Sequence, residues 1–353
     1  NTGYFSSLMV DYLAEKEALA SFYHRFPVID NFKAQIAEKS RTFKRKSRKV
    51  LVASLNKQYQ GFEISEATKN NINSLLSDHT FTVTTGHQLN LFTGPLYFLY
   101  KIISAINLSE QLNKKHSNHH FVPVYWMASE DHDFEEINYF NLYDEKVTWD
   151  HQSGGAVGAL DTEGMEQLLA TLKTKMGVSK NAKKLIDLFS KTYLQHKNLS
   201  DASRYLAQQL FAEYGLVIID GNHKELKKEF AYFAEKEIFD NSSFSIINKT
   251  TEQLEDFGYN KQVHPREINL FYIIKGIRER IIEEEGSFKI NNTRIVFSKE
   301  DLFKELEEFP ERFSPNALLR PLYQEVVLPN LCYVGGGGEL AYWFQLKDYF
   351  KSV

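Results

Sequence analysis

The run FTVTTGHQLNLFTGPLYFLYKIISAINLSEQLNKKHSNHHFVPVYWMASEDHD, residues 81–133, decides the fold. Phe81 to Thr85 are β-rich and stop at Gly86, while residues 95–115 carry apolar side chains at helical spacing behind Pro95. Residues 121–128 are apolar on both faces, as a strand buried in a parallel sheet must be. Strand, helix and strand in this order form a βαβ unit.

Working outward, residues 12–77 read as helical, with Pro27 and Gly61 among the few breakers. Residues 141–213 read as a mostly helical insertion opened by the loop Ser153, Gly154, Gly155, and residues 216–220 supply a third strand. A second insertion, 223–313, begins as helix. It then alternates apolar and polar residues at 269–275, 278–283 and 294–297, with Asn291 and Asn292 as a turn signal, which predicts an antiparallel meander. A Pro-capped helix over 314–325, a fourth strand over 331–334 and a last helix over 339–350 complete the chain. The expected fold is α/β, a doubly wound parallel sheet interrupted by two inserted subdomains. Its parts are 1–140 (N-terminal helices and the first half of the core), 141–213 (helical insertion), 214–222 (core strand), 223–313 (mixed insertion) and 314–353 (second part of the core). In such sheets ligands bind at the carboxyl ends of the strands.

The chain has 353 residues, 42% of them hydrophobic and 25% charged, an ordinary globular composition. No apolar run approaches the roughly 20 residues that span a bilayer, and residues 1–10 lack the pattern of a secretory signal. The single cysteine, Cys332, excludes an internal disulfide framework and fits a reducing compartment, so the expected location is cytoplasmic. A net charge of -4 gives no global attraction to nucleic acid or to an anionic membrane, and neither is expected as a partner. The basic stretch Lys39, Arg41, Lys44, Arg45, Lys46, Arg48, Lys49 reads as a solvated helix face.

Polar residues gather where the strands end. After the first strand come Thr85, Gly86, His87 and Gln88, with Thr93, Gly94 and Pro95 opening the helix. A helix N-terminus there suits an anion; otherwise the segment is a plain turn capped by Thr93. No Walker sequence is present. After the second strand come Glu130, Asp131, His132 and Asp133. Acids packed around a histidine at the end of a buried strand are costly unless they hold a cation or orient the histidine as a base. Glu135 and Glu136 read instead as acids favouring the next helix's dipole. The spacing matches no zinc pattern. Asp220, after the third strand, belongs to the site or caps the following helix.

Gly335 to Gly338, followed by Glu339, satisfy the dinucleotide fingerprint only formally, because no acidic residue follows on a further strand. An anion-binding nest is the better expectation. Arg266, with Asn269, and Arg320, with Asn316, carry side chains suited to two-pronged capture of carboxylates, or else to surface ion pairs. Cys332 reads as core packing.

Read together, TTGHQLNLFTGPLYFLYK (84–101), FVPVYWMASEDHDFEEIN (121–138), FSPNALLRPLYQEVVLP (313–329) and YVGGGGELAYWFQL (333–346) give a chain that resembles the bacillithiol biosynthesis cysteine-adding enzymes, the BshC family. The resemblance implies a Rossmann-like core akin to the class I aminoacyl-tRNA synthetases and nucleotidyltransferases, with two connecting-peptide insertions. It also implies a C-terminal coiled coil that forms a homodimer; this chain stops at Val353, where that part is expected to begin, so a truncated chain is expected.

The implied reaction joins the carboxyl of cysteine to the amine of glucosaminyl malate through an amide bond, the last step to the low-molecular-weight thiol bacillithiol. Activating that carboxyl calls for ATP or another nucleotide. Yet GHQLN is not a HIGH motif, and KMGVSK (175–180) only echoes KMSKS. Where the family often has two glutamines, this chain has His87 and Gln88.

On this reading His132, oriented by Asp131 or Asp133, is the base, and Glu130 recognises the charged amine. Thr85, Gly86, His87, Gln88, Gly94, Tyr97 and Lys101 bind substrate from the first βαβ unit. Arg266, Asn269, Asn316, Arg320, Gly336, Gly337, Gly338 and Glu339 bind it from the later segments, with no metal required. Two other readings compete: a divalent-metal hydrolase using Glu130, Asp131, His132 and His87, and a non-catalytic sugar-phosphate or nucleotide-binding module.

Overall fold

The computed structural model describes residues 3–353, which form two compact units. One comprises Arg48–His223 and Ile273–Arg278; the other comprises the residues up to Ser47, Lys224–Tyr272 and Glu279–Val353.

The first unit holds the βαβ element expected from the sequence. β1 (Thr80–His87) and β2 (His120–Met127) run parallel in register from Thr80↔His120 to His87↔Met127, and the strand Val217–Asp220 lies parallel on the far side of β2. Six apolar residues of β2, from Phe121 to Met127, are buried, each contributing roughly 1.5–3 kcal/mol of transfer free energy. The crossover helix Tyr97–Lys115 buries Phe98, Ile102, Ala105, Ile106 and Leu112, one stripe of its surface. Its last turn is tied to the start of β2, because the Asn113 side chain donates to the Phe121 carbonyl at 2.9 Å and accepts from its N–H at 3.0 Å.

Residues 141–213 are largely helical (Met165–Met176, Lys180–Leu194 and Leu199–Phe211). Before them comes a two-stranded ribbon, Tyr139–Leu142 against Glu145–Thr148, that the sequence pattern did not announce. The basic stretch also holds a correction. Lys44, Arg45, Lys46 and Lys49 are exposed, but Arg48 is buried and donates to the carbonyls of Leu75 and Thr80 at 3.1 and 2.8 Å. A guanidinium in the core repays its desolvation only through such bonds.

In the second unit the meander is present, with two strands more than expected. Ile277–Glu284 pairs antiparallel with Ser287–Ile290, which pairs with Val296–Phe297, and Phe313–Pro315 lies antiparallel to Leu270–Ile274. The helix expected over 314–325 instead starts at Arg320, with Pro321 in its first turn, because residues 313–315 are strand. The strand Asn330–Val334 and the helix Gly337–Gln345 follow. No helix among the described residues is long and apolar enough to cross a membrane.

Candidate active site

In the first unit the register aligns His87, Met127 and Asp220 at one edge of the sheet. The loop leaving β2 is pinned there. The Ala128 N–H donates to the His87 carbonyl at 3.0 Å, and the carbonyls of Ser129 and Asp131 accept from Gly158 and Val157 at 2.8 and 2.7 Å. Asp220 accepts from the Ser129 hydroxyl and from the Asn222 N–H, so its carboxylate braces this loop and its own turn.

The pinned loop presents Glu130, Asp131, His132 and Asp133 together. Gln88 joins them, its Nε2 donating to Asp131 Oδ2 at 3.1 Å and to Glu136 Oε2 at 2.6 Å. The expected orientation of His132 by an aspartate is corrected by the distances. Asp131 Oδ1 lies 3.8 Å from Nδ1 and Asp133 Oδ1 lies 3.9 Å from Nε2, both too long for hydrogen bonds. Asp131 Oδ1 accepts instead from the backbone N–H of His132 at 2.8 Å.

Arg278 meets the imidazole, its Nη1 2.6 Å from Nδ1. A guanidinium can only donate, so Nδ1 is the accepting nitrogen and the neutral ring carries its proton on Nε2. Burial pushes the Arg278 guanidinium below its ordinary value, opposed by Glu130, Asp131 and Asp133. Burial, and then the neighbouring Asp131, pushes Asp133 above the usual carboxylate range. The nearest ligand atoms of Asp131, His132 and Asp133 all lie within 4.8 Å of one another.

Arg278 was absent from the sequence-based candidates. It follows the hairpin turn at 275–276, and that turn sits against the diglycine loop: a Cβ on Gly154 would lie 3.1 Å from the Gly276 carbonyl oxygen, and one on Gly155 2.9 Å from the Ile277 nitrogen. The loop Ser153-Gly154-Gly155 was visible in the sequence; what it received was not.

The strand-to-helix turn is unlike a simple capped start. Phe92, Thr93 and Gly94 have φ of 51°, 77° and 57°, three left-handed residues in succession. Thr93 therefore caps nothing; Leu96 occupies the N-cap position with no side-chain bond, leaving the helix start to other acceptors. Phe92 is held by its N–H donating to the Tyr193 hydroxyl at 2.9 Å. Gly94 is required here, since a Cβ would stand 2.3 Å from that of Asn90. Thr85 and Gly86 are buried within β1, so they position the edge. His87 Nδ1 lies 3.1 Å from the Gln88 carbonyl, and its ring packs edge-on to Phe98 and Tyr97. Lys101 is buried, its ammonium 5.2 Å from the centre of the Tyr97 ring.

The later candidates lie in the second unit. Gly335 to Gly338 do not form a nest, because none of the four has the left-handed φ that such a concavity needs. At the start of the helix Gly337–Gln345, Glu339 Oε2 accepts from the Gly336 N–H at 2.8 Å and Oε1 from the Tyr333 hydroxyl at 2.5 Å, which places a carboxylate there already. Arg320 lies over the Tyr333 ring, 5.0 Å from its centre, and donates to Gln324 at 3.0 Å. Its Nη2 is buried without a hydrogen-bond partner. Burial disfavours its charge, yet the Tyr333 and Tyr342 phenols and the Glu339 carboxylate outweigh that and raise it above its ordinary value.

Asn269 and Asn316 are committed to structure. Asn269 Nδ2 donates to Glu237 at 3.0 Å and to Ser243 at 2.9 Å, and its Oδ1 accepts from Asn316 at 2.9 Å. Asn316 Oδ1 takes the N–H groups of Leu318 and Leu319 at 2.9 and 3.2 Å. The Arg266 side chain is exposed, and only its backbone joins this network. Burial pushes the Cys332 thiol up to about 12, in keeping with a packing role.

Parallel strands joined through a crossover helix, with a polar loop cluster at their carboxyl edge, define a Rossmann-like α/β protein. The family model of the bacillithiol biosynthesis BshC N-terminal Rossmann-like domain matches residues 1–353, and the chain belongs to that family. It is 55% identical over 352 residues to a "Putative cysteine ligase BshC" of Flavobacterium johnsoniae, covering 100% of this chain and 66% of the relative. Proteins of the same description from Cytophaga hutchinsonii and Bacillus cereus are 44% and 29% identical, over 98% of this chain and 64% and 66% of theirs. The chain thus spans about two thirds of the length of the curated relatives it matches.

Proposed function

We propose that this chain is the Rossmann-like part of a ligase that joins the carboxyl of cysteine to the amine of glucosaminyl malate. The observation that carries the reading is the Glu130–Asp133 cluster at the edge of the sheet, in a chain 55% identical to a relative described as a cysteine ligase. An amine arrives protonated near neutral pH, and the carboxylates that act on Arg278, those of Glu130, Asp131 and Asp133, also attract an ammonium. His132 takes the proton that the amine must lose before it attacks, once its Nδ1 lone pair is released from Arg278.

Amide formation needs an activated carboxyl, and ATP or another nucleotide is the proposed source. Among the phosphate positions suggested by the sequence, the start of the helix Tyr97–Lys115 fits better than Gly336, whose N–H already serves Glu339. Against a metal-dependent hydrolase stands Arg278, a cation already at the nitrogen through which His132 would bind an ion.

The test is to incubate the full-length protein with glucosaminyl malate, cysteine and each candidate nucleotide, and to look for the thiol conjugate by mass spectrometry. Conjugate that depends on one nucleotide supports the proposal. Its absence with every nucleotide overturns it.

A further inference from the structure

We infer that Arg278 is a receptor for a substrate carboxylate and that, before substrate arrives, it stands in for the substrate's ammonium among Glu130, Asp131 and Asp133. The ligand class is a molecule carrying both a primary amine and a carboxylate, so the inference rests on the reading of the site given under Proposed function.

Three observations carry it. Arg278 Nη1 lies 2.6 Å from His132 Nδ1, and its guanidinium feels Glu130, Asp131 and Asp133. It follows a hairpin turn seated on Gly154 and Gly155, so a position 146 residues from His132 in sequence is delivered to the acidic loop by backbone fit. Finally, Asp133 is pushed above its ordinary value by burial and by Asp131, so negative charge is crowded on this loop and a cation there is favoured.

The exchange conserves charge locally. A carboxylate draws the planar guanidinium into a two-pronged pair, and the ammonium on the same molecule takes the vacated place among the acids. Loss of the Nη1–H donor frees the Nδ1 lone pair of His132, which can then accept a proton from that ammonium. Binding the correct acid-bearing amine therefore uncovers the base, while an amine without a carboxylate must compete with Arg278 for the same acids.

This yields a test in which two ligands respond in opposite directions. Titration calorimetry of full-length wild type and Arg278→Gln compares glucosaminyl malate with methyl glucosaminide, which has the amine but no carboxylate. Losing a charge-assisted pair weakens the conjugate by about tenfold or more. Removing the resident cation tightens methyl glucosaminide several-fold, which a misfolded variant could not do. Arg278→Lys, a point charge without the fork, falls between the two for the conjugate. Equal binding of the conjugate to wild type and Arg278→Gln overturns the inference alone, as does a loss of affinity for both ligands together. If wild type fails to bind glucosaminyl malate, the ligase reading itself falls and takes the inference with it.

Discussion

A Cβ on Gly155 would stand 2.9 Å from the amide nitrogen of Ile277, one residue from Arg278. Gly155 also has φ of +69°, so two separate constraints exclude a side chain there. Gly155→Ala is expected to cost about 1–3 kcal/mol and to lower the midpoint of thermal unfolding. Because the clash unseats the hairpin turn, kcat/KM should fall by more than the loss of folded protein explains. Unchanged turnover per folded molecule would show that the turn needs no clasp.

Gln88 bridges Asp131 and Glu136 through a single amide nitrogen. Gln88→Glu exchanges that donor for another carboxylate, and the variant should be less stable than wild type by about 1–2 kcal/mol at neutral pH. The deficit should shrink as acid neutralises the cluster. Denaturant melts at pH 7 and pH 4 measure both values, and a deficit of equal size at the two would point to lost packing.

Asn269 and Arg266 separate structural from binding roles. Asn269→Ala leaves the buried Glu237 short of one donor, the Asn269 side-chain amide, while the backbone N–H at 269 remains, and should cost about 1–3 kcal/mol. Arg266→Ala, at an exposed side chain, should stay within about 0.5 kcal/mol. A higher KM in Arg266→Ala with unchanged melting would return that arginine to the substrate site.

Asp133 offers a pH test with a fixed sign. Its folded-state pKa is raised, so the folded protein disfavours the ionised form, and wild type loses stability as pH climbs from the ordinary value of 3.8 through the raised one. Asp133→Asn cannot ionise and escapes that loss. It should melt above wild type at pH 7, with the difference vanishing in acid below the ordinary value. Lower melting of the variant at pH 7 would mean that Arg278 stabilises this carboxylate more than burial and Asp131 disfavour it.

The thiol of Cys332, pushed up to about 12 by burial, should resist aromatic disulfide reagents at pH 8 in the folded protein and react fully after denaturation. Rapid labelling of the folded state would show an accessible thiolate.

The sequence displayed its local periodicities faithfully. Residues 81–128 alternate between β-rich and helical patterns strongly enough to reveal the βαβ unit, and the loop that follows, with three acids and a histidine in four positions, stood out without coordinates. Arg278 did not, because in a strand its charge reads as an outward polar position, and nothing local says that the hairpin turn meets Gly155. Gly335 to Gly338 misled in the other direction: glycine permits a left-handed backbone without requiring it, and here all four decline it. Asn269 and Asn316 looked like ligand-binding amides, but a buried glutamate in a distant helix had already claimed their network.

The turn at residues 92–94 sets a direction for engineering. Three adjacent left-handed residues hold conformational energy of order 1–3 kcal/mol each for Phe92 and Thr93, while the ring of Phe92 is locked among Phe140, Phe189 and Tyr193. Thr93 is the member free to change, and glycine there would relax the kink. A directed-evolution search for heat tolerance should find that exchange early, and the improved clones would reveal whether a tense hinge at the mouth of the crossover helix is needed for turnover.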